Sequence, residues 1–343
     1  MNKTSLLALS LLATAALAAD LPPGVRFVDY HGYTHCPLLE NDSTRVILNP
    51  HLGGSVLSYA WKGKEAIPLH PAQAGWTYTP GGKVIDPYCG RFDIGPEMTV
   101  ARHPLLFYGA YEVAVTGPRA VRLTSAPDPS SGVQLLRDFT LAATGSHLRC
   151  TQTIRNISHQ VQPWCHWSRT FAQGGGICVV PITRPSRFPR GFITYGDPGV
   201  IHISPQTNDH VRLRDGFLEI RGNPPFAKFG LDSEARWLAY AMTNDTLFVK
   251  RFPVYHHRVY NEFAAITVSI FYWPPAGMEP AALAKSSIPL PFCELEPIGP
   301  RTDLRPGKSQ AFTEDWWLLP FPFPADRNLD LKVLQETVAR EAR

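Results

Sequence analysis

Four short segments of the 343-residue chain concentrate carboxylates, arginines, histidines and aromatic residues that could do chemistry. In chain order they are YCGRFDIGPE (88–97), WCHWSR (164–169), YHHRVYNE (255–262) and CELEP (293–297). A carboxylate or an imidazole can transfer a proton, and an arginine beside carboxylates can hold sugar hydroxyls through directed hydrogen bonds. Core packing alone does not predict this mixture of residue types, so the four segments are candidates for a ligand site.

The first segment places Arg91, Asp93 and Glu97 among turn-forming glycines. Binding residues are common in such loops and strand ends. An arginine flanked by two carboxylates can orient the hydroxyls of a sugar, which makes these three residues candidates for substrate binding. A solvated turn with a surface ion pair is the alternative interpretation.

The second segment is predicted to be a strand, in which successive side chains point to opposite faces. Trp164, His166 and Ser168 then share one face, and Trp167 and Arg169 share the other. A histidine that titrates near neutral pH beside an aromatic platform suits both proton transfer and sugar binding. The alternative is a structural histidine in a β-core.

The third segment contains the tandem residues His256 and His257, which point to opposite faces of a strand. Two such histidines do not easily bind one metal ion together, so no metal site is expected. Tyr260, Asn261 and Glu262 are better candidates for lining a cleft than these two histidines are.

The fourth segment carries Glu294 and Glu296, which share one face of a predicted strand while Leu295 points to the core. Two carboxylates on one face repel each other, which raises the pKa of one and makes it a competent acid or base. An exposed pair of strand glutamates is the alternative. The apolar flanks IPLPF and PIGP argue against simple solvation.

Alternating apolar and polar residues recur in runs such as YEVAVTG (111–117) and AAITVSIFYW (264–273). Turn-forming residues separate these runs, and the chain is rich in them, with 33 Pro and 26 Gly. This alternation predicts short antiparallel strands, and no block repeats at a fixed interval as in a propeller or solenoid. Leu329, Val333, Leu334 and Val338 recur at helical spacing. We therefore predict an all-β fold, a large antiparallel β-sandwich over residues 20–325, followed by a short amphipathic helix over 326–343.

The first nineteen residues have the composition of a cleavable signal peptide. Lys3 precedes an apolar, Ala-rich stretch that closes on the small-x-small pattern Ala16-Leu17-Ala18. The sequence therefore predicts a periplasmic or secreted protein, and no later segment is long and apolar enough to span a membrane. Formal net charge is +4, without a basic run, which argues against a nucleic-acid partner. Oligomeric state stays open.

The chain contains six cysteines, an even number that permits up to three disulfides in an oxidising compartment. We expect one or two bridges, involving Cys165 and Cys178, although the sequence alone does not fix the connectivity. No pair has the CxxC spacing, so neither a zinc site nor a thioredoxin-like centre is expected.

The four segments, in this order, resemble the galactose mutarotase-like supersandwich superfamily, and more closely an exported branch of it described as a domain of unknown function. NPHLGGSVLSYAWKGKE (49–65) is similar to the superfamily's opening hairpin, and ELEPIGPRTDLRPGKSQAFTEDWWL (294–318) is similar to its closing unit. The likeness spans nearly the whole chain after the leader. The resemblance implies that the predicted β-sandwich has the supersandwich fold of the aldose 1-epimerases.

The resemblance also implies roles for individual residues. His166 matches the acid that protonates the ring oxygen of an aldose, and Glu296 matches the base that removes the anomeric proton. Arg91 matches the substrate-binding arginine, and His103 is the candidate for a second histidine of the family. Where the epimerases carry an aromatic-rich Y-F-N-L stretch, this chain has Trp167 and its polar neighbours. The reaction needs one acid, one base and no cofactor.

The sequence thus predicts an exported carbohydrate-binding protein, with epimerase-like turnover by His166 and Glu296 if it is an enzyme. A non-catalytic glycan-binding or structural module of the cell envelope is the first alternative, and a glycoside hydrolase or lyase is the second. The expected groove comprises the residues Arg91, Asp93, Glu97, Trp164, His166, Trp167, Arg169, Glu294 and Glu296.

Overall fold

Strict alternation of burial runs along the paired strands Val133–Leu141 and Leu148–Asn156, where every second side chain faces the core. The structure is a computed structural model that describes residues 21–196, 200–274 and 290–342. The predicted signal peptide, residues 1–19, lies outside the described residues. Alternation along the sequence therefore translates directly into an antiparallel sheet with one face in the interior.

The described chain forms twenty-two strands, numbered here in chain order. The first eleven are β1 (Val25–Tyr30), β2 (Tyr33–Glu40), β3 (Thr44–Asn49), β4 (Ser55–Trp61), β5 (Lys64–Glu65), β6 (Gly90–Gly95), β7 (Tyr111–Gly117), β8 (Ala120–Ser125), β9 (Val133–Leu141), β10 (Leu148–Asn156) and β11 (Cys165–Gln173). The others are β12 (Ile177–Pro181), β13 (Ile193–Gly196), β14 (Val200–His202), β15 (Val211–Arg214), β16 (Phe217–Arg221), β17 (Lys228–Leu231), β18 (Trp237–Met242), β19 (Thr246–Arg251), β20 (Val268–Trp273), β21 (Phe292–Pro297) and β22 (Ser309–Pro320).

These strands build two antiparallel sheets within the described ranges. The twelve-stranded sheet has the order β1-β2-β3-β4-β6-β11-β21-β20-β17-β13-β14, with β5 paired to β4. The ten-stranded sheet has the order β15-β16-β12-β18-β19-β22-β10-β9-β8-β7. The two sheets enclose one large apolar core, so the predicted all-β antiparallel sandwich is confirmed.

Three neighbouring strands near the middle of the twelve-stranded sheet, β6, β11 and β21, are buried on both faces. One face packs against the second sheet. The other is covered by the segments that follow β5 and β6, including the 3₁₀ turn Pro71–Gln73 and the one-turn helix α1 (Pro104–Phe107). Polar side chains on this covered outer face can therefore form a partly desolvated site.

The C-terminal helix α2 spans Leu331–Glu341 and confirms the helix predicted from sequence. Asp330 caps it, because its carboxylate accepts a hydrogen bond from the Val333 backbone N–H at 3.0 Å. Leu334 and Val338 join a second apolar cluster with side chains on the outer face of the ten-stranded sheet, among them Trp317. The helix thus closes one exposed sheet face.

Within the described residues, no helix is long and apolar enough to cross a membrane. All six cysteines are buried free thiols. The Cys165 sulfur packs against Gly95, and the Cys178 thiol interacts with that of Cys293 across the two sheets. The expectation of one or two bridges involving Cys165 and Cys178 is therefore wrong, because all six cysteines are free and these two have different neighbours.

Candidate functional site

Cross-strand register places the predicted polar residues on one face of the twelve-stranded sheet. Asp93 of β6 lies opposite Trp167 of β11, and Arg91 lies opposite Arg169. Residues paired in an antiparallel ladder point to the same face, so these four side chains share the outer face. The predicted division of the second segment into two faces is therefore observed, with Trp167 and Arg169 on the outer side.

Further strands extend this outer face. Glu294 of β21 is paired with Phe271 of β20, and Glu296 is paired with Ser269. Lys228 of β17 is in turn paired with Phe271. The two glutamates therefore share one face, as predicted, and a cation that is distant in sequence lies on the same face.

A cleft of about 630 Å³ opens above these strands. Its walls combine aromatic rings with ionisable groups, the combination found in pockets that bind polar ligands. Among the side chains that line it are Tyr78, Asp93, Glu97, His103, Phe107, Tyr108, Trp167 and Arg169. This cleft is the candidate functional site.

A histidine and a carboxylate form a close pair in the cleft. His103 Nε2 lies 2.6 Å from Asp93 Oδ1, and His103 Nδ1 lies 2.6 Å from the carbonyl oxygen of Ala101. Burial alone would lower the pKa of His103, but the charge and hydrogen bond of Asp93 outweigh burial and raise it to about 9. His103 is thus an imidazolium near neutral pH, with both ring nitrogens donating.

Two arginines lie side by side and share one acid. Arg169 Nε donates to Glu294 Oε1 at 3.1 Å, and Arg91 Nη2 lies 3.3 Å from the same oxygen. The other terminal nitrogen of Arg91 contacts Asp86. Arg91 is buried, with its guanidinium carbon 4.4 Å from the Phe171 ring centroid. Arg91 therefore supports the site from beneath, whereas Arg169 reaches the cleft.

Glu296 lies behind Trp167 and is 1% exposed. Its Oε2 accepts a hydrogen bond from the Trp167 indole N–H at 2.6 Å, and no described side chain donates to Oε1. Burial, followed by the charge of Glu294, raises the pKa of Glu296 to about 8, while Lys228 and Arg169 oppose the rise. Glu296 is consequently a stronger base than an ordinary glutamate.

A second carboxyl with a raised pKa, Glu262, lies beside Glu97 and interacts with Lys228. The backbone N–H of Glu97 donates to Glu262 Oε2 at 2.9 Å, and Lys228 Nζ lies 2.5 Å from Glu97 Oε2. Burial is the main cause that raises the pKa of Glu262 to about 7. The hydroxyl of Tyr195 is buried nearby without a partner among the described residues. Glu262 thus lies beside the site, as the third segment suggested.

His166 lies on the opposite face of the sheet, between the two sheets. Its Nε2 is 2.8 Å from Glu314 Oε1, and its Nδ1 is 3.2 Å from Gln152. Lys250 Nζ forms an ion pair with the other oxygen of Glu314 at 2.9 Å. Burial lowers the pKa of His166, and it outweighs the effect of Glu314. Because β11 separates His166 from Glu296, the structure does not bring the predicted acid and base together.

Trp164 also lies away from the cleft. Its indole N–H donates to the carbonyl oxygen of Ser131 at 2.8 Å, and it borders a small internal space beside His166. Trp164 and His166 lie together, as predicted, but they face the interior between the sheets rather than the cleft. Trp167 takes the position of the aromatic platform instead.

Several residues of the site have no local sequence pattern that marks them. Lys228 belongs to a short strand without a distinctive pattern, and only the long-range pairing of β17 with β20 brings it to the cleft. Asp86 precedes the first segment by a few residues and gave no separate signal. His103 was identified only through the family resemblance. Within the described ranges, no cluster of three or more His, Cys, Asp or Glu could hold a metal ion.

The fold is shared with solved structures of low sequence identity. A galactose mutarotase-like protein from Lactobacillus casei ATCC 334 is 12% identical with a TM-score of 0.55, over 82% of this chain and 99% of that one. A galactose mutarotase-like protein from Clostridium acetobutylicum is 9% identical with a TM-score of 0.50, over 87% and 98%. The Slr1438 protein from Synechocystis sp. PCC 6803 is 14% identical with a TM-score of 0.55, over 86% and 99%.

No protein-family model matches the sequence, and no curated protein matches it. The likeness to solved structures nevertheless extends over more than four-fifths of this chain and nearly all of each neighbour. This likeness shows a galactose mutarotase-like fold, as the sequence resemblance implied. At these identities the comparison concerns fold alone.

Proposed function

We propose that this protein binds a carbohydrate in the cleft and interconverts the anomers of a free aldose, with His103 as the acid and Glu296 as the base. The observation that carries the proposal is the His103–Asp93 pair, which holds a protonated imidazole in the cleft, while the carboxylate of Glu296, with its pKa raised to about 8, lies behind the Trp167 ring that lines it. The mutarotase-like fold is consistent with this activity.

Binding would rest on one aromatic surface and two charged groups. The Trp167 ring lines the cleft and is held in place, since the Arg169 guanidinium carbon lies 4.4 Å from its centroid and its indole N–H is bonded to Glu296. An aromatic ring can pack against the apolar face of a sugar, while Arg169 and Asp93 can bond to hydroxyls at its edge.

Proton transfer would proceed in two balanced steps. His103 would turn its Nδ1–H from the Ala101 carbonyl oxygen to the ring oxygen and donate that proton, while Glu296 Oε1 accepts the proton of the anomeric hydroxyl, so the ring C–O bond breaks and a carbonyl forms. After rotation about the adjacent C–C bond, the hydroxyl attacks the other face of the carbonyl and both protons return. The pKa of about 8 for Glu296 and about 9 for His103 place the greatest activity between these two values.

The test follows anomer interconversion of neutral aldoses by polarimetry or proton NMR, starting from one pure anomer. Replacement Glu296→Gln removes the base and nearly preserves the shape, and we expect a rate loss of about 100-fold or more. Glu112→Gln, at an exposed position of β7, is the matched control and should keep the wild-type rate. Equal rates in both variants, or no catalysis by the wild-type protein, would contradict the proposed activity.

Glycan binding without turnover is a second candidate function. The observation that favours it is the 1% exposure of Glu296, whose carboxylate is engaged by Trp167. A glycan array with the wild-type protein, Trp167→Ala and Glu296→Gln separates the two functions. Binding that depends on Trp167 but not on Glu296, together with no anomer interconversion, would support the non-catalytic module.

Export to the periplasm or the medium is part of the proposal and rests on the leader sequence. Free or polymeric glycans would then be the available ligands, rather than the phosphorylated sugars of the cytoplasm. N-terminal sequencing of the protein recovered from fractionated cells tests this point. A mature chain beginning near Asp20 supports export, whereas a chain in the cytoplasmic fraction that still carries residues 1–19 contradicts it.

A further inference from the structure

A second pocket lies on the far side of the molecule, on the outer face of the ten-stranded sheet near helix α2. Its volume is about 530 Å³, and it is formed by β10, β22 and the two ends of the β18–β19 hairpin. The polar side chains that line it are Arg149, Thr151, Arg236, Arg251, Thr313 and Asp315. Both sheets separate this pocket from the sugar cleft.

Arg251 is the unusual residue of this pocket. Its Nε is buried without a hydrogen-bond partner among the described residues, and its Nη2 donates to the Val338 carbonyl oxygen of α2 at 3.4 Å. Burial lowers the pKa of Arg251, and no carboxylate in the described part of the chain counteracts this effect. A partly desolvated guanidinium that has no carboxylate beside it is energetically unfavourable. The described residues around Arg251 supply no anion that balances its charge.

The nearest carboxylate to Arg251, that of Asp315, already contacts other groups. Asp315 lies directly opposite Arg251 in the β19–β22 ladder, but its Oδ1 is 2.7 Å from His147 Nε2 and 3.1 Å from Arg149 Nε. Within the described part of the chain, no side-chain hydrogen bond or ion pair of Arg236 is found, and this residue is exposed. The residues that line the pocket therefore include three arginines and one carboxylate, which contacts only Arg149 of the three.

The pocket carries more positive charge and more hydrogen-bond donors than its own residues satisfy. Three guanidinium groups against Asp315 leave two uncompensated positive charges. The hydroxyls of Thr151 and Thr313 lie 2.8 Å apart, so one donates to the other and the second hydroxyl hydrogen is left to donate outward. A ligand with two negative charges and several acceptor oxygens matches both the charge and the donors.

We propose that this pocket binds a tetrahedral oxyanion, either free sulfate or phosphate or the same group as an ester on a larger molecule. A carboxylate would neutralise one charge and present two oxygens, whereas a sulfate or phosphate presents oxygens in several directions. The site is independent of the sugar cleft, because it uses the opposite sheet and none of the cleft residues.

The experiment measures the melting temperature of the full-length protein as sodium sulfate or inorganic phosphate is added at constant ionic strength. A ligand that binds the folded protein stabilises it by RT ln(1 + [L]/Kd). Sulfate also stabilises folded proteins generally, because it is excluded from their surfaces. Specific binding is therefore measured by the part of the increase in melting temperature that saturates with anion concentration and that is lost in the arginine variants.

Arg236→Gln and Arg251→Gln are the test variants, and Arg122→Gln is the matched control. Arg122 lies on the outer face of the same sheet, but its Nε is already bonded to Asp138 at 2.7 Å. We expect each test variant to weaken anion binding about 10-fold, the effect of one lost charge-assisted hydrogen bond. Arg236 is exposed, so its replacement should leave folding intact.

A parallel titration with a sulfated polysaccharide distinguishes the sources of the anion. Saturation by the inorganic ions identifies a free-anion site, and saturation by the polysaccharide alone identifies an ester-binding site. Both results support the proposal if Arg236→Gln weakens the effect and Arg122→Gln does not. Absence of saturable stabilisation by any of these probes, or the same loss in Arg122→Gln, would overturn it.

Discussion

Two histidine–carboxylate pairs of similar geometry have opposite charge states in this molecule. In the cleft, His103 lies 2.6 Å from Asp93 and its pKa is raised to about 9. Between the sheets, His166 lies 2.8 Å from Glu314 and its pKa is lowered. Both histidines are largely buried and each contacts one carboxylate oxygen, so contact with an acid does not explain the difference.

The difference comes first from burial, which is deeper around His166 and lowers its pKa, and then from the second partner of each carboxylate. Lys250 forms an ion pair with Glu314 at 2.9 Å and already neutralises it, so a proton on His166 would add an uncompensated charge to the core. Among the residues that the structure describes, Asp93 has no comparably close second cation, because the nearest guanidinium nitrogen of Arg169 is 4.0 Å away. The charge of a buried histidine is therefore set by the depth of its burial together with its partner's other contacts.

The largest effect is expected when the buried pair loses its cation. Lys250→Met leaves Glu314 buried with only His166 to compensate it, and breaking such a pair should reduce the free energy of unfolding by about 3–5 kcal/mol. Chemical denaturation measures this change. Lys308→Met, at an exposed turn, is the control and should change stability by less than about 0.5 kcal/mol. Similar small changes in both variants would show that the interior pair contributes little.

Replacing each of the two histidines by asparagine separates an effect on catalysis from an effect on stability. We expect His103→Asn to reduce the rate of anomer interconversion about 100-fold, because it removes the proposed acid. His166→Asn should instead reduce stability and leave kcat of the folded protein unchanged, since β11 separates this residue from the cleft. Steady-state kinetics and chemical denaturation of both variants test these two expectations. A loss of kcat in His166→Asn alone would restore the assignment made from sequence.

The two pairs should also affect stability at opposite ends of the pH range. Glu314, with its pKa lowered from 4.5 to about 2, binds protons more weakly when folded, so its contribution is present above pH 4.5 and is lost as pH falls toward 2. His103, with its pKa raised from 6.5 to about 9, contributes below pH 6.5 and loses that contribution as pH rises through 9. Thermal unfolding of His103→Asn should lack the alkaline loss, and an unchanged alkaline limb would contradict the raised pKa.

The smallest and most direct effect is spectroscopic. In a pH titration followed by NMR of the imidazole ring protons, the His103 signal should change position around pH 9, and the His166 signal should stay constant above its ordinary pKa of 6.5. Spectra of the two asparagine variants assign the signals. If both histidines titrate at the same pH, the second-partner explanation fails.

The sequence predicted the fold well because β-structure has a local signature. Period-two alternation and the turn residues between strands determine where each strand runs, and helical spacing determines α2. The pairing of Glu294 and Glu296 on one face was predictable for the same reason. All of these inferences depend only on neighbours within one strand or helix.

The site was less predictable because alternation defines two faces without showing which one meets the partner sheet. His166 and Trp167 are adjacent in sequence, yet one contacts Glu314 in the interior and the other lines the cleft. Lys228 reaches the cleft through strand order, and His103 through the segment that crosses the sheet after β6. These placements depend on long-range topology, which no local pattern contains.

The six buried thiols have a consequence for the study of motion in this protein. Because each sulfur is covered in the folded state, an alkylating reagent can react with it only after local or global opening. Cys178 and Cys293 lie at the junction of the two sheets and would report their separation, whereas Cys36 in β2 would report fraying near one edge. The wild-type chain thus carries its own probes for measuring opening rates at separate places in the sandwich.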